Sequence, residues 1–262
     1  MTTILPKLGQ FGISETDQIL ANDRSSHSST APVPPKPPKP PLLRLDSPEP
    51  HRRIRQYVIE LLKHNLLTQQ VAELIRDRTV KKIVRRIEED LAILMHRDPA
   101  AGDDPLEVWE TYLSLRAVAN YRIANALYTY KIGNLNLRAV ARRISETTKV
   151  ETGIEIHPGA TIGRELVIDH GVGTVIGETT VIGDKCYLLQ CIILGSTGIA
   201  DNISGRRHPQ LGDNVRVGGF VRVFGSIHIG DNVEISPWAS IVEDIPANSR
   251  VVVKTINQVI KS

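Results

Sequence analysis

The run IHPGATIGRELVIDHGVGTVIGETTVIGDKCYLLQCIIL, residues 156–194, returns an aliphatic side chain at every sixth position. Its anchors are Ile156, Ile162 and Ile168, then, after a slip of two residues, Ile176, Ile182, Leu188 and Leu194. A second run, LGDNVRVGGFVRVFGSIHIGDNVEISPWASIVEDIP at 211–246, repeats the pattern with Leu211, Val217, Val223, Ile229, Ile235 and Ile241. A helix repeats at about 3.6 residues and a strand at about 2, so neither explains a period of six. Short extended segments separated by bends do explain it. One side chain per segment points inward, three segments close a triangular coil, and stacked coils bury a continuous column. The residue four after an anchor is usually small or apolar: Leu166, Val172, Val215, Val221, Ile227, Val233, Ala239, Ile245. Gly or Asp often follows the anchor (Gly163, Asp169, Gly177, Gly183, Gly195, Gly218, Gly230), where a tight corner favours glycine. The pattern predicts a parallel β-helix of hexapeptide repeats over 148–246.

Working outward, the register is broken once. Residues 195–210, GSTGIADNISGRRHPQ, are rich in Gly, Ser and Asn and are predicted to leave the coil as an excursion loop. Upstream, residues 51–147 read as a helical domain. Ile54, Val58, Ile59, Leu61 and Leu62 recur at helical spacing, and Thr68 is a candidate cap for a second helix. Val80, Ile83, Val84, Ile87 and Leu91 continue an apolar face until Asp98-Pro99 stops it. A long helix is expected from about Leu106 to Tyr130, ended by Gly133-Asn134, and a last one near Leu137 to Ile144. Arg85, Arg86, Glu88, Glu89 and Asp90 read as a solvated helix face. Residues 1–50, with Pro32, Pro34, Pro35, Pro37, Pro38, Pro40 and Pro41, read as a disordered or polyproline tail, and 247–262 as a C-terminal tail. The fold class is therefore α+β.

A formal net charge of +3 over 262 residues gives no reason to expect a nucleic-acid partner. No apolar run approaches the roughly 18–20 residues that span a bilayer, and residues 1–20 lack a secretory pattern. Cys186 and Cys191 show no zinc spacing and read as small buried hydrophobes, so a reducing cytoplasm is expected.

Four histidines lie in the second half: His157, His170, His208 and His228. Asp169-His170 sits at the register slip, Arg206-Arg207-His208 in the excursion, and Glu155 one coil below His170. Positions about 12–15 apart lie on adjoining faces of a coil with about six residues per side, which brings Glu155 within reach of the imidazole. A carboxylate on one ring nitrogen fixes the tautomer and leaves the other free to take a hydroxyl proton. Each lone histidine is otherwise a surface or structural residue, the reading kept for His157 and His228. Metal binding competes for these groups, but no ligand spacing supports it and Arg207 would repel a cation, so no metal is expected.

Together these residues resemble the serine O-acetyltransferase family from about Asp98 onward. The motifs are RDPA (97–100), YRIAN (121–125), EIHPGATIG (155–163), IDHGVGTVIGET (168–179), GSTG (195–198) and RHP (207–209). The resemblance implies a left-handed coil that transfers acetyl directly from acetyl-CoA to the hydroxyl of L-serine for cysteine synthesis. It implies His170 as general base, oriented by Glu155 where the family has Asp, with His208 completing the catalytic set. Asp98 and Asp169 would meet the ammonium and hydroxyl end of the amino acid, and Arg207 its carboxylate. Acetyl-CoA would touch Gly195, Ser196, Gly198, Gly218, Gly219 and Arg222. It further implies a trimer or dimer of trimers with sites between subunits. The chain departs from the family at GSTG for GGTG, at GRRHPQ for GDRHPK, and at Pro237-Trp238. It also stops at Lys261-Ser262 without the tail the family inserts into its sulfhydrylase partner, so no such complex is expected. Alternatives are the same chemistry on another hydroxy amino acid or amine, and a non-catalytic scaffold.

Overall fold

The computed structural model describes residues 47–132, 135–198 and 204–254. The proline-rich stretch, Gly133-Asn134 and the last eight residues lie outside the described residues.

Helix α1 (Pro48–Asn65) starts at Ser47, whose Oγ accepts the Glu49 N–H, so positions 48–50 belong to the helix and not to the tail. It buries Ile54, Val58 and Leu62. Thr68 is the first residue of α2 (Thr68–Arg76) and not its cap. The cap is Leu67, whose N–H donates to Gln70 Oε1 at 2.9 Å. Helix α3 (Thr79–Arg97) ends at Asp98 as read. The expected long helix is two, α4 (Pro105–Thr111) and α5 (Leu113–Thr129), because Tyr112 is extended at φ −84°, ψ 103°. A hairpin of β1 (Lys131–Ile132) and β2 (Leu135–Asn136) leads to α6 (Arg138–Thr152), which runs two turns past Ile144 and stops at Gly153 in a left-handed cap. No helix among the described residues is long and apolar enough to cross a membrane.

The coil follows the six-residue period strand by strand. Its first sheet stacks β3 (Glu155–Ile156), β6 (Val175–Ile176), β9 (Ile193–Gly195), β12 (Arg222–Phe224) and β15 (Ser240–Ile241). The second holds β4 (Thr161–Ile162), β7 (Val181–Ile182), β10 (Gln210–Leu211) and β13 (His228–Ile229). The third holds β5 (Val167–Ile168), β8 (Tyr187–Leu188), β11 (Arg216–Val217), β14 (Glu234–Ile235) and β16 (Arg250–Val251). All these pairings are parallel, and each anchor is paired with the anchor one coil above: Ile156 with Ile176, Ile176 with Leu194, Val223 with Ile241. The anchors form one buried column, with Ile162 its partly exposed member. At the slip, Thr174 and not Val172 holds the inward row: Thr174 is fully buried and Val172 is 61% exposed. The glycines after the anchors are needed for close approach. A Cβ on Gly183 would sit 2.6 Å from the Gly212 backbone carbon, and one on Gly218 would sit 2.6 Å from Pro237 N. The excursion is shorter than read, since Gly195 is still in β9 and Gln210 already in β10, and the coil runs on past 246 into β16.

The helical domain is clamped to the coil by a buried ion pair. Asp90 on α3, with no exposed surface, takes two bonds from Arg122 on α5, Nε to Oδ2 at 2.9 Å and Nη2 to Oδ1 at 3.0 Å. Arg122 also donates to the carbonyls of Ile162 and Gly163, and Asp90 accepts the Leu166 N–H. Asp90 is therefore not part of a solvated face. Neither is Glu89, which holds Arg164 of the coil through two bonds of 2.8 and 3.0 Å. Outward-pointing Val167 completes the seam by packing into the helical core.

Candidate functional site

The coil has three kinds of corner, and the polar residues singled out by sequence gather at two of them, at the two ends of β6. The first group lies where the third sheet passes to the first. The slip forces His170 to φ +59°, a conformation uncommon for non-glycine residues. Gly171 follows at φ +79°, where a Cβ would lie 2.5 Å from Ile154 Cδ1. The imidazole is 71% exposed, with Nε2 3.8 Å from Asp169 Oδ1. Tyr187 donates to Asp169 Oδ2 at 2.7 Å. Asp98, at the end of α3, accepts the Ala100 N–H on Oδ1 and the Tyr112 hydroxyl on Oδ2. Each tyrosine feels both carboxylates, so Asp98 and Asp169 act on one neighbourhood. Burial first, then the adjacent carboxylate, push both phenols above their ordinary value, so they remain O–H donors.

The second group lies where the first sheet passes to the second. His208 is buried against Gly177, on which a Cβ would fall 2.1 Å from the imidazole. Its Nδ1 accepts from Thr179 N–H at 3.2 Å and lies 2.8 Å from Thr179 Oγ1. Thr179 Oγ1 in turn accepts the Arg207 and His208 N–H groups, which locks the RHP turn onto the IGET turn. An accepting Nδ1 puts the proton of the neutral ring on Nε2. Burial, then Arg207, hold His208 below the ordinary histidine range, so it is an N–H donor near neutral pH. Arg207 Nη2 donates to Glu178 Oε2 at 2.6 Å and holds that carboxyl below its usual range. Tyr128 donates to Glu178 Oε1 and meets the His157 ring edge-on. His157 Nδ1 accepts the Gly159 N–H, a turn-capping role.

Because His157 and His208 are both held below the unfolded value of about 6.5, the unfolded chain binds more protons on acidification. Their contribution to stability is therefore complete above about pH 6.5 and lost as pH falls below it. Melting temperature should drop between pH 7.5 and 5.5, and His208→Gln should flatten part of that drop in a pH series by calorimetry. An unchanged slope in the variant would show that His208 charges freely in the fold.

The structure does not bring Glu155 to His170. No hydrogen bond or ion pair joins them, and the Glu155 carboxylate lies instead 3.4 Å from Lys149 Nζ and 3.8 Å from Arg142 Nη2. The reason is α6, which carries Arg142 in its body and Lys149 on the turns past Ile144, both over β3. Among the described residues, no contact joins His170 to Arg207 or His208 either. The groups are one triangle side apart, about six residues at ~3.3 Å each, too far for one small molecule to touch both in a single chain.

Of the other positions, Gly195 pairs with Phe224, and Ser196 Oγ meets the Gly198 carbonyl at 3.4 Å. Gly218 is required by coil stacking itself, whereas at Gly219 a Cβ would first meet the Gln190 side chain, at 3.1 Å. Arg222 is exposed on the first sheet. No cluster of His, Cys, Asp or Glu fit to hold a metal is present among the described residues. A cavity of about 730 Å³ lies in the helical domain, lined by Tyr57, His64, Arg116 and Arg143, far in sequence from both corners. The sequence reading missed Tyr112, Tyr187, Glu178 and Thr179. The last two close the IDHGVGTVIGET motif, but nothing in the pattern signalled the tyrosines.

A three-sided coil with polar groups at its corners, beneath a helical domain, defines a hexapeptide-repeat acyltransferase. No protein-family model matches the chain. Serine acetyltransferase of Staphylococcus aureus strain MSSA476 is 42% identical over 170 residues, covering 65% of this chain and 75% of that protein. That of Staphylococcus xylosus is 43% identical over 171 residues, with the same shares. Neisseria gonorrhoeae serine acetyltransferase, solved in complex with serine, superposes at TM-score 0.64 and 27% identity over 79% of this chain and 82% of that one. Isoform 3 from Entamoeba histolytica, solved with cysteine, gives 0.63 and 29% over 81% and 72%. The chain belongs to the serine acetyltransferase family, and its coil is the left-handed β-helix of that family.

Proposed function

We propose that this chain transfers acetyl from acetyl-CoA to the hydroxyl of L-serine, in a site completed between two copies. The observation that carries this is the pair of tyrosine-held carboxylates, Asp98 and Asp169, beside an exposed histidine in a left-handed turn. Two fixed anions suit an ammonium group, and the adjacent imidazole suits its neighbouring hydroxyl. The opposite corner offers a guanidinium and a neutral imidazole N–H, which suit a carboxylate. In a trimer packed around the coil, one subunit's His170 corner faces another's Arg207 corner, so each site draws on two chains.

His170 accepts the hydroxyl proton as the serine oxygen attacks the thioester carbonyl. The C–S bond then breaks, and the proton returns to the departing thiolate. Fixed N–H donors lining the site stabilise charge on the carbonyl oxygen. With Glu155 held by α6, Asp169 Oδ1 is the nearer carboxylate to steady the protonated ring, and Glu155 acts there only if its ion pairs release it.

Thiol release from acetyl-CoA, followed with a chromogenic reagent over L-serine and related hydroxy amino acids and amines, tests the reading. Saturable release with serine supports it; release only with another acceptor keeps the mechanism and replaces the substrate. Arg207→Lys should raise the acceptor KM about tenfold while kcat changes less, because a point charge does not replace a fork. An unchanged KM would place the carboxylate elsewhere.

A further inference from the structure

The corners entering the third and first sheets need left-handed backbone. Entering the third sheet, the two lower coils place Glu165 and Lys185 in this region, and the three upper ones Asn214, Asn232 and Asn248, at φ 54°, 58° and 60°, a residue that adopts it readily. Their amides bond in a ladder, Asn214 to Asn232 at 2.9 Å and Asn232 to Asn248 at 3.0 Å. Entering the first sheet, Gly171 and Cys191 hold the left-handed position in the lower coils, and the upper ones place Phe220 at φ 62° and Trp238 at φ 70°. Bulky aromatics are poorly suited to that conformation. Their rings stack in parallel, 4.2 Å between centroids and 5° between planes, yet Trp238 stays 67% exposed. Burial does not account for an indole there, and an exposed ring stacked flat on a second one offers its free face to a planar ligand.

This is the corner that carries His170. Three coil steps separate the two, about 14 Å at the ~4.8 Å spacing of neighbouring strands. The exposed Arg216 on β11 and Arg222 on β12 flank the corner between them, and the nearby Glu234 is engaged by Arg250 at 3.7 Å. The geometry points to the Phe220–Trp238 stack as the platform for the nucleotide base of the acyl donor. The purine lies on the exposed indole, the phosphates near Arg216 and Arg222, and the pantetheine arm runs down the corner to His170. The inference rests on acetyl-CoA being the donor.

The chain has two tryptophans, and Trp109 is only 3% exposed, so acrylamide-accessible emission reports Trp238. Titration with CoA, and separately with adenosine 3′,5′-bisphosphate, is expected to quench this emission and shield it from acrylamide. Trp238→Phe should abolish the signal. Trp238→Ala should raise the KM for acetyl-CoA about tenfold and narrow the preference for acetyl-CoA over S-acetylpantetheine by the same factor, the scale of one base stacked on an aromatic ring. Calorimetric binding of CoA with no change at Trp238 would overturn the inference and leave the donor reading intact. Failure of CoA to bind at all would remove the donor reading and this inference with it. A change in sedimentation of Trp238→Ala would assign the pair to a subunit contact and overturn the inference equally.

Discussion

His170→Ala and His170→Asn should each lower kcat by about 10²–10⁴-fold, the usual contribution of a positioned general base, with the fold unchanged. The side chain is 71% exposed, so its removal leaves no buried cavity. Asparagine is the sharper variant, because it tolerates the left-handed backbone at φ +59° and keeps hydrogen-bonding capacity without basicity at neutral pH. Circular dichroism and melting temperature should match the parent. Turnover near the parent rate in either variant would remove His170 from the chemistry. The proposed subunit arrangement adds a second readout. Neither His170→Asn nor Arg207→Ala should be active alone, but trimers assembled from both contain an interface with two intact halves. Activity should therefore return on co-expression, and continued silence would mean that both corners serve one chain's site.

The coil was legible because its period is set by geometry that sequence records directly: one aliphatic residue per side of the triangle. The slip between Ile168 and Ile176 was legible too, and it marks the place where the backbone turns His170 outward. What the slip did to the inward row was not, since Val172 looks the better core residue than Thr174 and loses to it on position alone. Asp90 was hidden among the charges of its helix, although Ile83, Ile87, Asp90 and Leu94 form one stripe at helical spacing, so the signal was present. The break at Tyr112 carries no proline or glycine. It follows from tertiary structure, as the Tyr112 hydroxyl finds Asp98. Coil spacing alone pairs Glu155 with His170, but two cations seven residues apart on α6, Arg142 and Lys149, decide where the carboxylate goes.

Arg122→Met should destabilise the protein by about 3–5 kcal/mol, the cost of leaving one member of a buried pair uncompensated. Asp90 would keep the Leu166 N–H but lose both guanidinium bonds in a place without solvent. The carbonyls of Ile162 and Gly163 would lose their donor at the same time. Arg85→Ala, on α3 with Asp90 but 71% exposed, should cost no more than about 1 kcal/mol. Urea titration separates the two, and equal midpoints would mean that the clamp contributes nothing. Pairing Arg122→Met with Asp90→Leu should recover the part of the loss due to the uncompensated charge, but not the part due to the Ile162 and Gly163 carbonyls and the Leu166 N–H, which stay unpaired. The double variant then isolates a functional consequence. Helix α3 carries Asp90 in its body and Asp98 at its end, while Asp169 belongs to the coil, so the clamp fixes the distance between the two carboxylates proposed to hold the ammonium group. Well below its melting temperature, the refolded double variant should show a higher acceptor KM and an unchanged KM for acetyl-CoA. A rise in both would indicate a general loosening of the coil, whereas the selective rise would identify the Asp90–Arg122 pair as what holds the acceptor half of the site in register.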